Sequence, residues 1–379
     1  MAMSETLTLA TRLLSQASVT PHDEGCQEII ANYLFALGFE ISTFPFNQVK
    51  NLWAKRGTTQ PFFCFAGHTD VVPPGDLNAW DSPPFTPTLR DGKLYARGAA
   101  DMKSSIAAML TATKRFITKY PHHLGSIAFL ITSDEEGKAI DGTQAVLKSL
   151  QTKEEIPSWC LVGEASSTEK LGDTIKVGRR GSLTGQLKIL GKQGHVAYPE
   201  LAQNPIHLAL KALESITTYQ WDTGSPPFPA TSLQFSNIHA GTGADNVIPG
   251  TLEANFNLRF SPSITPEIIQ HKVEEILKEH GLTFEIKWRL SGKPFYTSEN
   301  SEFRKIIANT IEKVMGYAPI HSTSGGTSDG RFFAEYGTEV VELGPNNATI
   351  HQVNECVDVE ELEQLSYLYE EILVALLAK

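Results

Sequence analysis

The sequence predicts an α/β fold: a mostly parallel sheet covered by helices, with an α+β domain inserted into it. The first observation is a series of strand-like apolar runs, FEISTF, NLWAKR, PFFCFAG, IAFLITS and WCLVGE, spread over residues 39–164. Runs of this kind suit strands buried on both faces, as in parallel sheets. The second is that helical patterns separate them. Residues 25–37 put Ile30, Tyr33, Leu34 and Leu37 on one face, Gly38 follows as a stop, and a further helix fits 102–119. The third is a change of texture near residue 176. There TIKVGRRGSLTGQLKILG, TSLQFSNIHAG and GTLEANFNLRFS alternate apolar and polar residues, as half-buried antiparallel strands do, and amphipathic helices fit 205–219 and 265–280. After GKPF at 292–295, helix and buried-strand signals return in SEFRKIIANTIEKVMG and TEVVELGP, with a last helix from about 358. The expected organisation is one discontinuous domain, 1–178 with 294–379, and an inserted domain, 179–293.

Composition narrows the function classes. Lys and Arg total 32 against 43 Asp and Glu, a formal charge of -11, and no basic run offers a track for phosphates, so nucleic acid is not an expected partner. The N-terminus, MAMSETLTLATRLLSQ, lacks a basic segment leading into a long apolar one, and nowhere do about 18 apolar residues run together. No membrane partner is expected, and the location expected is the cytoplasm. Cys26, Cys64, Cys160 and Cys356 form no C-x-x-C pair, so reduced thiols are expected.

The chemistry-bearing residues fall at the ends of these elements. PFFCFAG ends in His68, Thr69 and Asp70; RGAA ends in Asp101; IAFLITS runs into Asp134, Glu135 and Glu136; WCLVG ends in Glu164; VVELGPNNATI leads to His351. Each alone reads as a satisfied histidine or a solvated turn. Together they fit a site, because the carboxyl ends of strands in parallel α/β sheets are where sites assemble. Imidazole and carboxylate ligands without cysteine suit a pair of divalent ions such as zinc, cobalt or manganese. Two such ions, bridged by one carboxylate, would neutralise acids that resist being packed together.

The phrases GHTDVVPPGD, WDSPPF, LYARGAADMKSSIAAM, ITSDEEGKAIDGT, LVGEASS, GRRGSL, GKQGHVAYP, GADNVIPG, SGGTSDGRF and ELGPNNATIHQVNE occur in this order over residues 67–355, within a resemblance that runs from about residue 5 to residue 379. Jointly they resemble the dinuclear zinc amidohydrolases of the aminoacylase and carboxypeptidase superfamily. The resemblance implies hydrolysis of the amide of an N-succinyl amino acid by a homodimer carrying two zinc ions per subunit, with cobalt able to substitute. It also implies that His68 and Glu164 hold one ion, His351 and Glu136 the other, and that Asp101 bridges them. The carboxylate of Asp70 would fix the imidazole of His68. Glu135 would move protons as general base and acid, its alternatives being a third ligand or a surface charge.

In the inserted region His195 would reach a partner's site and steady an oxyanion, against the plain reading of a hairpin histidine. The substrate's carboxylates would meet Arg179, Asn246, Arg259, Ser182, Thr327 and Asn347, with Gly325 and Gly326 allowing close backbone approach. Structural ion pairs are the alternative for the arginines, and Arg180 competes with Arg179. A related deacylase, a metallo-carboxypeptidase and a metal-binding scaffold without turnover are the other readings. Lys138 stands where a smaller residue or proline is expected, beside the metal set but outside it.

Overall fold

The computed structural model describes residues 3–378. The chain divides into two compact units. The first runs to Gly178 and resumes over Tyr296–Ser322 and from Ser328 onward; the second is Arg179–Phe295 together with Thr323–Thr327.

The first unit is built on an eight-stranded sheet. Its middle is parallel: Phe62–His68 lies between Ser126–Thr132 and Trp159–Val162, and Glu339–Glu342 follows beside the latter. All seven residues of both Phe62–His68 and Ser126–Thr132 are buried, as strands covered on both faces must be. Three other joints are antiparallel, while the edge strand Ile320–Ser322 pairs in parallel with Thr174–Lys176. Asn51–Arg56 pairs with Ser126–Thr132, Glu40–Thr43 pairs with Asn51–Arg56, and Glu342 meets Lys176 of the strand Thr174–Lys176. The mostly parallel sheet expected from the sequence is thus mixed toward its margins, and only Glu40–Thr43 with Asn51–Arg56 is joined by a connection short enough for a hairpin-like return. Helices Ser104–Lys119 and Val359–Leu377 pack into the core through Ile106, Met109, Phe116, Leu365, Tyr369 and Leu373. The second of these begins where Asp358 accepts the backbone N–H groups of Glu360 and Glu361, an N-cap bond.

The second unit is a four-stranded antiparallel sheet in the order Ser232–Ala240, Thr251–Phe260, Gly181–Leu190, Thr283–Gly292. One face is buried against helices Pro205–Thr218 and Pro266–Glu279, where Leu187, Phe256 and Leu258 join a core with Ala212, Ile216, Ile269 and Val273. The boundary expected at 293/294 and the unbroken 294–379 segment need correction. Arg179 Nη1 donates to the Ser324 carbonyl at 2.9 Å and the Thr323 hydroxyl to the Pro227 carbonyl at 2.8 Å, which ties that stretch to the second unit. All four cysteines are free. Among the described residues no helix is long and apolar enough to cross a membrane.

Candidate metal centre

His68 ends its strand and is 1% exposed. Its Nδ1 faces the backbone carbonyl of Asp70 at 2.8 Å. A carbonyl only accepts, so Nδ1 carries the proton and Nε2 presents a lone pair. That lone pair faces carboxylate oxygens of Asp101 at 3.2 Å and Glu164 at 3.5 Å. Such a set of acceptors inside a protein requires a cation or a proton between them.

A second set repeats the pattern. His351 Nε2 lies 2.9 Å from Glu136 Oε1 and 3.4 Å from the other oxygen of Asp101, Oδ2. Asp101 therefore gives one oxygen to each histidine, which is the geometry a bridging carboxylate needs. The donor atoms of His68, Asp101 and Glu164, and separately those of Asp101, Glu136 and His351, lie within 4.8 Å of one another. A third such group, His68, Glu135 and Glu136, crosses between the two sets and leaves Glu135 as either ligand or base.

The electrostatics agree with sites made for cations. Burial opposes a charged His68, yet hydrogen bonds to Asp101 and Glu164 raise its pKa well above the usual imidazole range. His351, bonded to Asp101 and Glu136, is raised to about 10. Burial, then the charge of Asp101, lifts Glu164 to about 7. Burial pushes Asp101 upward too, but the bonds to His351 and His68 prevail and its pKa falls below the usual carboxylate range. Glu135 is raised well above its usual range, by burial first and then by the charge of Glu164. The site as folded favours protons where divalent ions would supply the same charge, so the residues fit the expected metal pair.

The elements explain the placement. Asp101 sits in the short segment Ala99–Lys103 ahead of the helix Ser104–Lys119, with non-helical backbone angles, φ -125° and ψ 95°. Gly98 turns the chain there with φ 84°. His351 itself adopts φ 61°, the left-handed region that non-glycine residues rarely occupy and that clusters at functional sites.

Asp70 holds His68 through its carbonyl rather than through its carboxylate, which stands 3.6 Å from Nδ1. The carboxylate instead accepts the backbone N–H groups of Glu135 at 3.3 Å and Glu136 at 3.1 Å. Burial raises its pKa to about 6. Asp134 closes the same loop by accepting the N–H groups of Lys138, Ile140 and Asp141.

Of the substrate-side candidates, Asn347 belongs to the first unit, where its N–H donates to Ser167 O at 3.0 Å. The others lie on the second unit. Exposed His195 and Asn246 are neighbours in a two-stranded ribbon, where His195 pairs with Val247 and Asn246 O accepts from Val196 N at 3.1 Å. Ser182 is the register partner of Arg259, and its hydroxyl accepts from the Asn257 side chain at 3.1 Å. Arg179 is 7% exposed and reaches Ser324, while Arg180 Nη1 donates to Ser232 Oγ at 3.3 Å. A Cβ at Gly325 would stand 2.5 Å from Arg179 Nη1 and φ there is +99°, so only glycine suits that turn. Gly326 has open space around its Cα, and Thr327 is half-buried.

Residues that sequence reasoning missed are the buried Arg97 and Glu355, and Asp23, which accepts the Thr69 hydroxyl at 2.8 Å between His68 and Asp70. Glu355 shares the phrase of His351, and Asp23 precedes the helix Cys26–Ala36 as a capping acid would; those were the available signals.

The model of peptidase family M20/M25/M40 matches residues 64–375. A protein of Acinetobacter baumannii named succinyl-diaminopimelate desuccinylase is 58% identical over 375 residues, covering 99% of both chains. Among solved structures, an M20 family metallo-carboxypeptidase from Sulfolobus solfataricus aligns over 99% of both chains with a TM-score of 0.83 and 19% identity. The Bacillus subtilis YXEP protein, described as a dinuclear metal-binding peptidase of the M20 family, aligns over 97% of both chains with a TM-score of 0.72 and 17% identity. At those identities the likeness speaks for the fold. The family model and the full-length relative establish that this chain belongs to peptidase family M20/M25/M40.

Proposed function

We propose that this protein is a cytoplasmic, homodimeric metal-dependent amide hydrolase that converts N-succinyl-LL-2,6-diaminopimelate and water to LL-2,6-diaminopimelate and succinate, a step toward lysine and peptidoglycan precursors. The observation that carries the chemistry is the division of the Asp101 carboxylate between His68 and His351, each with a further glutamate beside it. The full-length identity to a desuccinylase supports the choice of substrate.

His68 and Glu164 would hold one zinc ion, His351 and Glu136 the other, and Asp101 both, with cobalt able to substitute. Bound there, the ions supply a Lewis acid for the amide carbonyl and make water acidic. Glu135 takes the proton of the attacking water and returns one to the leaving amine, so that the C–N bond breaks with a neutral amine leaving. Burial raises its pKa in the metal-free centre, and cations beside it would lower it again toward the range of a working base. His195 from a partner subunit steadies the charge that develops on the carbonyl oxygen. Arg179, Arg259, Asn246, Ser182, Thr327 and Asn347 receive the succinyl and amino-acid carboxylates, with Gly325 and Gly326 beside them.

The test is hydrolysis of N-succinyl-LL-2,6-diaminopimelate compared with N-acetylornithine and other N-acyl amino acids, after chelation and after zinc is restored. Activity lost with chelator and regained with zinc, greatest on the succinylated diamino acid, supports the reading. Preference for an acetylated substrate, or activity indifferent to chelation, overturns it.

A further inference from the structure

We propose that the buried ion pair Arg97–Glu355 is a positioning device for the metal pair: Glu355 fixes where Asp101 sits, and Arg97 fixes the His351 loop relative to it. The inference rests on the metal reading above and concerns residues that are not themselves expected to be ligands.

Arg97 Nη1 and Glu355 Oε2 are 2.7 Å apart, with side chains 2% and 1% exposed. Both Glu355 oxygens are fully used. Oε2 accepts from Arg97 and from Gly98 N at 3.0 Å, and Oε1 accepts from Ala100 N at 2.9 Å and Asp101 N at 3.0 Å. A carboxylate offers about four acceptor positions, and this one spends three of them on the backbone of the short turn that carries Asp101. Arg97 works in the other direction. The same Nη1 donates to the carbonyl of Gln352, the residue after His351, at 3.1 Å, and Nη2 reaches the carbonyl of Pro73, downstream of Asp70, at 3.5 Å. Its guanidinium carbon stands 5.3 Å from the Trp80 ring. The pair thus joins three ligand-bearing loops while touching no ligand side chain.

Its placement is fixed from below by strand pairing. Cys356 pairs with Tyr95, and Ala96 N donates to the Glu355 carbonyl at 3.1 Å. Stability alone is a poor explanation for the pair, because a buried ion pair can often be replaced by apolar side chains at no loss. Apolar side chains cannot accept three N–H groups of a ligand-bearing turn. Groups that orient metal ligands from outside typically change metal affinity 10- to 100-fold when lost, as a rough guide.

The experiment compares wild type, Glu355→Gln and Arg97→Lys as full-length proteins. Folding is checked by the thermal transition of the metal-free forms, and Co2+ and Zn2+ are titrated into them with bound metal counted per chain. Glu355→Gln loses one acceptor and sets an NH2 against backbone donors of the Asp101 turn, so both metal positions weaken by about 10- to 100-fold. Arg97→Lys keeps a cation for Glu355 but cannot reach Gln352 and Pro73 as well, so one equivalent stays tight and the other loosens by about the same factor. If Glu355→Gln does not fold, Arg97→Lys decides. Folded variants that bind two ions as tightly as wild type overturn this inference alone. A wild type that binds no metal overturns the metal reading and this inference with it.

Discussion

Replacing Asp70 by asparagine separates two jobs that one residue performs. The carbonyl that takes the His68 Nδ1 proton is backbone and survives the change. The carboxylate that takes the N–H groups of Glu135 and Glu136 does not, since asparagine keeps one acceptor oxygen and turns an NH2 toward the other N–H. Asp70 is fully buried, so the orphaned N–H has no water to turn to. A hydrogen bond to a charged acceptor is worth about 1.5–3 kcal/mol. If that energy serves to place Glu135 at the transition state, at about 1.36 kcal/mol per tenfold in rate, kcat falls about 10- to 160-fold. KM changes little, and the protein still binds two metal ions. The assay is steady-state hydrolysis of the succinylated substrate together with metal counted per chain. Loss of one metal ion, with unchanged kcat in molecules that stay fully loaded, would refute the assignment of the carbonyl to His68 and the carboxylate to the Glu135–Glu136 turn.

Three further outcomes are expected. Glu135→Gln lowers kcat by about 10²- to 10⁴-fold while both metals are retained, because it removes a proton carrier; loss of metal on this change would make Glu135 a ligand. Gly98→Ala places a Cβ 2.6 Å from Val71 Cγ1 on a backbone with φ +84°. The left-handed conformation alone costs about 1–2 kcal/mol, so the unfolding free energy of the metal-free protein, measured by denaturant titration, drops by at least that much, and an unchanged value would contradict the close packing of the Asp101 turn. Asp173 tests acid stability away from the site: partial burial pushes its pKa up, but N–H groups of Thr168, Glu169 and Lys170 and the Thr168 hydroxyl outweigh this and hold it at about 2. Its folded pKa lies below the unfolded value of about 3.9, so its contribution is present above about pH 4 and disappears as pH falls toward 2. The melting-temperature gap between wild type and Asp173→Ala should be widest near neutrality and close over that window.

The sequence carried most of this fold because the two periods stay clean. Seven consecutive buried residues in Phe62–His68 and in Ser126–Thr132 fit central strands, and the alternation of buried with more exposed residues along Thr251–Phe260 fits a sheet with one open face. The edge strand Thr283–Gly292 and the helices Glu5–Leu14 and Thr143–Gln151 lie outside the elements expected from the sequence, although Phe284, Ile286, Trp288 and Leu290 alternate in the first and Leu7, Ala10 and Leu14 share a face of the second. For the site, residue types at strand ends pointed to His68, Asp101, Glu164 and His351. They said nothing of which oxygen of Asp101 faces which imidazole, because that depends on a turn held from a distance of 254 residues along the chain by Glu355. The Asp70 carboxylate, which the resemblance sets on His68, stands 3.6 Å from Nδ1, while the Asp70 backbone carbonyl is nearer at 2.8 Å. A backbone carbonyl has no side-chain signature, so residue identity could name the partner but not the atom.

The run Asp134-Glu135-Glu136 shows how adjacent acids avoid the repulsion their charges predict. Asp134 turns back onto the N–H groups of its own loop, where three donors stabilise its charge. Glu136 is set against His351. Glu135 has neither partner, and burial with the neighbouring charge of Glu164 drives it toward the protonated form. The same reasoning makes protons and metal competitors at this centre. The charge that His68 and His351 take up as imidazolium, in holding the carboxylates around them, is the charge two divalent ions deliver with interest, and each ion must displace a proton to enter. Glu135 lies outside the two sets that share Asp101 but within reach of His68 and Glu136, and ions held by those sets would draw its pKa down again, as the base proposed above requires.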